Sequence, residues 1–271
     1  MMEGSSRDPA RAEEGRSRLR RLWFFLRVSL VLVSLAGVKI LVHQQHWELL
    51  TPNPLFPALV ASEVFLLGFL LHGVLMDYKE GEKIPGELAA ALECLAREAR
   101  GARAFQPEAG GNEALVLLAG FSEDLLAWMK EAGPTTELLN RLDHVQRSIE
   151  RFAQKNPAPL QARLLLELSQ IRRLVYRIGV IRATTFVPTL YGVAYIGTAL
   201  LSGGLLFTDI EPFGESLFFI CAISLLLIKM LWLIADLDNP FSENLASSVE
   251  HVSVSPVALA VERLQRLQAE G

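Results

Sequence analysis

Four stretches of this chain stay apolar for about 20 residues each, long enough for a helix to cross the roughly 30 Å hydrocarbon layer of a bilayer. They run from Leu22 to Val42, from Pro54 to Met76, from Thr185 to Phe207 and from Phe213 to Ala235. A chain patterned in this way is predicted to be an all-α membrane protein with four transmembrane helices and a helical body inserted between the second and the third. The composition agrees. The 271 residues are 51 % hydrophobic yet 21 % charged, a mixture that suits apolar spans alternating with polar segments better than one soluble core. The first run is longer than a signal-peptide core. It is followed by "HQQHWELL" with no small-residue cleavage site, so it is read as a retained span.

Lysine and arginine set the orientation. "RSRLRRLWFFLR" leads into the first span, Lys79 and Lys83 follow the second, and "RRLVYRIGVIR" leads into the third. The other two connections, "HQQHWELLTPN" and "TDIEP", contain neither residue. Both termini and the middle segment are therefore predicted to face the cytoplasm. Residues 1–20 are polar and unpatterned and read as a disordered tail. Cys94 and Cys221 are too few for a disulfide framework, and Cys221 falls inside a span.

The cytoplasmic helices are expected at about 84–183. Leu115, Leu118, Phe121, Leu125 and Trp128 form one apolar stripe, and Leu138, Leu142, Val145, Ile149 and Phe152 form a second. Gly133 and Pro134 stop the first of these helices, and Thr135 or Thr136 is expected to cap the next. "NPAP" at 156–159 breaks the chain again before a third stripe of Leu164, Leu168, Ile171, Val175 and Ile178. Such one-faced helices must pack on something, either as a bundle within the chain or with other copies. Beyond the fourth span, Pro240 ends the membrane helix. An extended polar stretch follows, and Ser255 is expected to cap a short helix with Pro256 at its first position. Residues 237–271 form a cytoplasmic tail expected to pack on the cytoplasmic body. No zinc-ligand spacing, phosphate-binding glycine loop or nucleophile motif stands in the middle segment, so an enzyme is not expected and no catalytic residue, metal ligand or cofactor is assigned. "HQQH" at 43–46 places two imidazoles three residues apart at the outer boundary, without a carboxylate companion, and is a poor metal motif.

Ionisable groups inside the spans are costly and usually face a bundle interior or a water path. Arg27 lies near the inner end of the first span and Lys39 near its outer end, where both can snorkel. Glu63 lies roughly 14 Å deep in the second span and Lys229 about 10 Å above the inner boundary of the fourth. His72 sits at a similar inner depth. At 100° per residue, Phe65, Phe69, His72 and Met76 share one face of the second span, extended outward by Ala61 and Ala58, while Glu63 points about 160° away from Phe65. Glu63 is thus expected to be a structural group held by Lys39 or by a neighbouring subunit. His72 is either a packed core histidine or part of a polar path.

Several motifs in order carry a resemblance to the bestrophins. "FLLGFLL", with Phe65, Gly68 and Phe69, resembles that family's neck helix. "EGEKIPGEL" follows at once, with Glu80, Lys83, Gly86 and Leu88 matching a pattern of bacterial members. Pro188 and Tyr191 resemble the start of the third span. Asp236, Asp238, Asn239, Pro240 and Phe241 resemble the acidic-NPF exit from the fourth, and "VSPVALAVERL" is similar to a tail helix that wraps a neighbouring subunit. The resemblance spans residues 21–236 as a channel domain and continues to Leu267. Departures are visible too. Ala61 stands where a third bulky ring is expected, and Gly81 and Pro85 replace aromatics. Ser242 and Asn244 interrupt the acidic run of Asp236, Asp238 and Glu243, so calcium gating does not carry over.

The resemblance implies a homopentameric ion channel in a bilayer, in a bacterial inner membrane, with inorganic ions as permeant species and no nucleic-acid partner. Its pore would run along the second spans. Phe65 and Phe69 would form hydrophobic rings, with Ala61, His72 and Met76 on the same stripe. Lys79, Glu80 and Lys83 would line a vestibule, with anions slightly favoured over cations. The alternative is a non-conducting scaffold or sensor acting through its cytoplasmic helices. A transporter is weaker, because no inverted repeat is visible.

Overall fold

The computed structural model describes residues 9–105, 111–131, 133–184, 187–238, 240–241 and 252–269. Among these residues there are eight helices and no strand. They are α1 (Pro9–Gln44), α2 (Leu55–Phe105), α3 (Gly111–Glu131), α4 (Thr135–Ala153), α5 (Ala158–Ala183), α6 (Pro188–Leu206), α7 (Phe213–Leu237) and α8 (Ser255–Ala269). Four helical stretches among them are long and apolar enough to cross a membrane. The chain divides into two compact units, residues 1–73 with 187–235, and residues 74–186 with 236–271. This division differs from the expected boundaries at 21, 236 and 237. The apolar pattern of α2 changes character at about residue 74, within a helix rather than at a loop, and the exit from α7 belongs with the second unit.

The first unit holds α1, the outer part of α2, α6 and α7. Its buried side chains include Leu67, Leu70, Ala194, Leu205, Ile220, Leu227 and Ile234. Many other apolar side chains here are exposed, Leu30, Leu59, Leu200 and Phe218 among them, as expected where lipid replaces water as solvent. The connections from α1 to α2 and from α6 to α7 are tied together. Leu50 N–H donates to Phe207 O (3.1 Å) and Asp209 N–H to Leu50 O (2.8 Å), forming a single parallel bridge between Leu50 and Thr208.

The second unit is a helical bundle around an apolar core. Ile84, Leu88, Leu92, Leu95 and Ala99 keep α2 amphipathic past the apolar span, and all are buried. They join Leu115, Leu118, Phe121 and Leu125 of α3 with the α4 and α5 stripes named above in one core. Each fully buried Leu or Phe contributes about 1.5–3 kcal/mol of transfer free energy, so this core dominates the stability of the unit. Salt bridges decorate its outside, including Arg151–Glu113 (2.9 Å), Arg163–Glu98 (3.0 Å) and Arg263–Glu93 (2.8 Å). Exposed pairs of this kind contribute little each.

Three details depart from expectation. Residues 9–20, expected as disordered, are the first turns of α1; Pro9 suits a first helical position, and the Ala, Arg, Glu and Leu that follow are strong helix formers. Neither Thr135 nor Thr136 caps α4. Pro134 occupies the N-cap and no side chain bonds there, since the helix already includes Thr135. Ser255 likewise belongs to α8, and the oxygen that accepts its N–H is Ser253 Oγ (3.3 Å). The stretch expected to be extended, with Asn239, Ser242, Glu243 and Asn244, lies outside the described residues apart from Pro240, Phe241 and 252–254. The tail helix α8 packs on α3 through Val257, Ala260, Val261 and Leu264.

Candidate functional site

The second span continues as helix without a break from Leu55 to Phe105, through Pro85. Along its outer half the stripe expected from helical phase is exposed. Ala58, Ala61 and His72 are exposed, and Phe65 and Phe69 are 77 % and 55 % exposed. In the second unit Met76, Lys79 and Lys83 of α2 are exposed. Glu80 is also exposed but is paired with Arg177 of α5. Lys79 and Lys83 make no ion pair among the described residues. Gly68 and Gly86 are free of steric demand within the chain, because a Cβ at either would meet nothing within 4 Å.

The opposite side of α2 is packed. Glu63 is buried, and Thr198 Oγ1 of α6 donates to its Oε1 at 2.9 Å. A Cβ at Gly197 would lie 2.2 Å from Glu63 Oε2, so a larger residue there would push the carboxylate aside. This corrects the expectation that Lys39 holds Glu63. Lys39 does not snorkel either. Its side chain is fully buried and donates to Glu48 Oε1 (2.5 Å), Thr208 O (2.7 Å) and Leu206 O (3.3 Å). The chain turns back after α1 through His46, whose φ of 54° is left-handed, and that turn brings Glu48 under the helix end. Glu48 Oε2 also meets His43 Nδ1 at 2.8 Å, and the His43 ring stacks on Phe213 at 4.2 Å. The "HQQH" segment thus has a carboxylate companion after all, committed to a lysine; no group of three or more metal-ligating residues exists among the described residues. Burial pushes the Glu48 carboxyl up, but hydrogen bonds and charge from Lys39 and His43 outweigh it and hold the group below its ordinary value. Lys229 lies 4.4 Å above the Trp232 ring, a cation–π contact one helical turn along α7.

In the second unit, the exit from α7 docks on α2. Phe241 and Pro240 are both buried, and a Cβ at Gly81 would lie 3.3 Å from Phe241 Cε2 and 3.5 Å from Pro240 Cγ. This explains a departure noted in the sequence. An aromatic at 81 would need the space that Phe241 fills. Pro85 completes the arrangement: it lacks the N–H that would pair with the Gly81 carbonyl, and the small residue at 81 relieves crowding at that turn. Arg182, near the end of α5, donates to Phe241 O (3.2 Å), Trp128 O (3.2 Å) and Met129 O (3.1 Å) and lies 4.3 Å above the Trp128 ring. It gathers the end of α3, the end of α5 and the Pro-Phe turn at one guanidinium. Asp236 and Asp238 are half-buried, Pro188 starts α6, and Tyr191 lies in its first turn. Arg182, Glu48, Thr198 and Gly197 were not singled out from the sequence. Arg182 and Glu48 look like ordinary boundary charges there, and only the fold supplies their partners.

Four helices long and apolar enough to cross a membrane, together with a helical body, define an all-α integral membrane protein. A family model for the Bestrophin-like domain matches residues 28–250, and the chain belongs to the bestrophin-like family. Crystal structures share the fold. A bacterial bestrophin homologue from Klebsiella pneumoniae superposes with a TM-score of 0.73 at 16 % identity, over 91 % of this chain and 98 % of that one. A variant of that homologue gives 0.71 at 18 % identity, over 90 % and 98 %. A crystal structure described only as a membrane protein variant gives 0.74 at 16 %, over 89 % and 98 %. No curated protein matches the chain.

Proposed function

We propose that this chain is the subunit of a homopentameric ion channel whose pore runs along the exposed stripe of α2. Membership of the bestrophin-like family supports an ion channel of the bestrophin type. The observation that carries the pore assignment is the exposure of Ala61, Phe65, Phe69, His72 and Met76 on one side of α2, while Glu63 on the other side is buried. A stripe facing lipid would put a histidine into hydrocarbon at cost; a stripe facing an axis would put it beside a water path. Phe65 and Phe69 would form two apolar rings that gate by dewetting, with the narrower third ring absent at Ala61. Gly68 and Gly86, which have no steric role within one subunit, suit close approach of helices around such an axis.

Below the rings, Lys79 and Lys83 without ion pairs outweigh Glu80, which Arg177 neutralises. That balance favours anions as the permeant species in a cytoplasmic vestibule. Both termini would face the cytoplasm of a bacterial cell, in accordance with the lysine and arginine bias.

The test is native mass spectrometry combined with ion flux in liposomes. A pentamer that conducts, with larger currents in Phe65→Ala and Phe69→Ala, is the expected result. A monomer or dimer that is silent in all forms would exclude the channel and favour a scaffold acting through its cytoplasmic helices. Reversal potentials under a salt gradient then decide the sign of selectivity. Lys83→Glu is expected to shift them towards cations.

A further inference from the structure

The connection from α1 to α2 exposes large apolar side chains where a turn in water would be polar. From Ile40 to Ser62 the only lysine, arginine or carboxylate is Glu48. That one charge is turned inward. Glu48 accepts from fully buried Lys39 and lies against His43, and its side chain is only 11 % exposed. Its two neighbours in the chain face out: Trp47 is 59 % exposed and Leu49 83 %. Exposed Val38 and Leu41 precede them in α1, and exposed Leu55 and Leu59 follow at the start of α2. Apolar exposure therefore passes along the chain from one span to the next, around a neutralised carboxylate.

The connection is also held in shape. His46 N–H donates to His43 O (3.1 Å), Trp47 N–H donates to Val42 O (3.0 Å), and Leu50 is fixed by its bridge to Thr208. Leu55 N–H donates to Asn53 Oδ1 (3.0 Å), and Pro52 and Pro54 have no N–H to satisfy. Few backbone donors would be stranded if this segment left bulk water. The α6–α7 connection differs, because Asp209 and Glu211 are exposed there.

We propose that the α1–α2 connection is an anchor in the membrane interface, with Trp47, Leu49 and Leu55 seated at the boundary between headgroups and acyl chains. Clustered exposed apolar groups mark contact surfaces, and here they continue those of two spans, which makes lipid the occupant. An indole is apolar with a single N–H and suits a layer that is apolar on one side and wet on the other. Gln44, Gln45, His46, Thr51 and Asn53 are exposed between these side chains and can hydrogen-bond to headgroups. The Lys39–Glu48 pair makes the placement possible, since an unpaired carboxylate would hold the segment in water. The anchor needs a bilayer and no pore, so it does not depend on whether the chain conducts.

The test uses full-length protein in phosphatidylcholine nanodiscs, with and without lipid brominated close to the headgroup. The tryptophans are Trp23, Trp47, Trp128 and Trp232, so the emission of Trp47 is obtained as the difference between wild type and Trp47→Phe. That difference is expected to be blue-shifted from indole in water, to fall several-fold with brominated lipid and to respond weakly to acrylamide in the buffer. Leu49→Trp places a second probe on the same surface and is expected to gain emission that brominated lipid quenches. It decides the matter if Trp47→Phe does not accumulate. Emission quenched by acrylamide and insensitive to brominated lipid would put the connection in water and overturn the proposal. Emission shielded from both quenchers would put it against protein, such as a second copy of the chain, and would overturn it equally.

Discussion

At Gly81, one missing side chain accommodates a large one from a distant part of the chain. Phe241 is buried against it, and Gly81→Leu would force the ring aside. The expected cost is about 1–3 kcal/mol for overpacking, and Phe241→Ala should cost about 3–5 kcal/mol by leaving a cavity. Equilibrium or thermal unfolding of the two variants checks both, and the double variant should be less destabilised than the sum, since the residues touch. Arg182 is a second such point. Arg182→Lys keeps the charge but loses the planar fork that reaches three carbonyls, and should lose at least about 1.5 kcal/mol in the same assay. Glu48 makes the third residue-scale prediction. Its folded carboxyl is held below its ordinary value, so its stabilisation is present above the unfolded pKa and disappears as the pH falls through the folded one. The protein should therefore melt lower at strongly acidic pH than at pH 7, and Glu48→Gln should narrow that difference while lowering the melting temperature at pH 7.

Among the elements, α2 carries the most consequence because it changes solvent without changing structure. Its first half is apolar with an exposed stripe, and its second half is amphipathic with Ile84, Leu88, Leu92 and Leu95 buried in a core. Phase analysis of the sequence placed Phe65, Phe69, His72 and Met76 on one side and Glu63 on the other, and the structure has the same separation between exposed and buried. The helix α8 illustrates the reverse case. Its amphipathic pattern and its packing on the helical body were legible, but the helix it covers was not, because any apolar groove of suitable shape would satisfy Val257, Val261 and Leu264. It packs on α3, so removal of residues 252–271 should raise amide hydrogen exchange in α3 more than in α4. Equal exchange in both helices would count against α8 as a cover for α3.

For the whole molecule, the two units answer to different physics. The first is stabilised by helix packing and a few buried polar contacts among side chains that also face lipid; the second depends on an apolar core excluded from water. In the proposed channel, chains would associate with the exposed stripes of α2 around an axis. Co-expression of wild-type subunits with Phe65→Ala subunits should then give graded currents that scale with the mixing ratio. A current unaffected by the mixture would place Phe65 away from the conduction path.

The sequence by itself determined the number of spans, the helical stripes of the body, the phase of α2 and the resemblance to the bestrophin-like family. These follow from local periodicity and from runs of apolar residues, which the bilayer and the helix repeat make readable one segment at a time. Only the tertiary structure decided the partners of the ionisable groups. Lys39 went to Glu48 and not to Glu63, Arg182 to three carbonyls, and Phe241 to Gly81, because each pairing depends on where the chain turns back in space, and neither spacing nor composition encodes that.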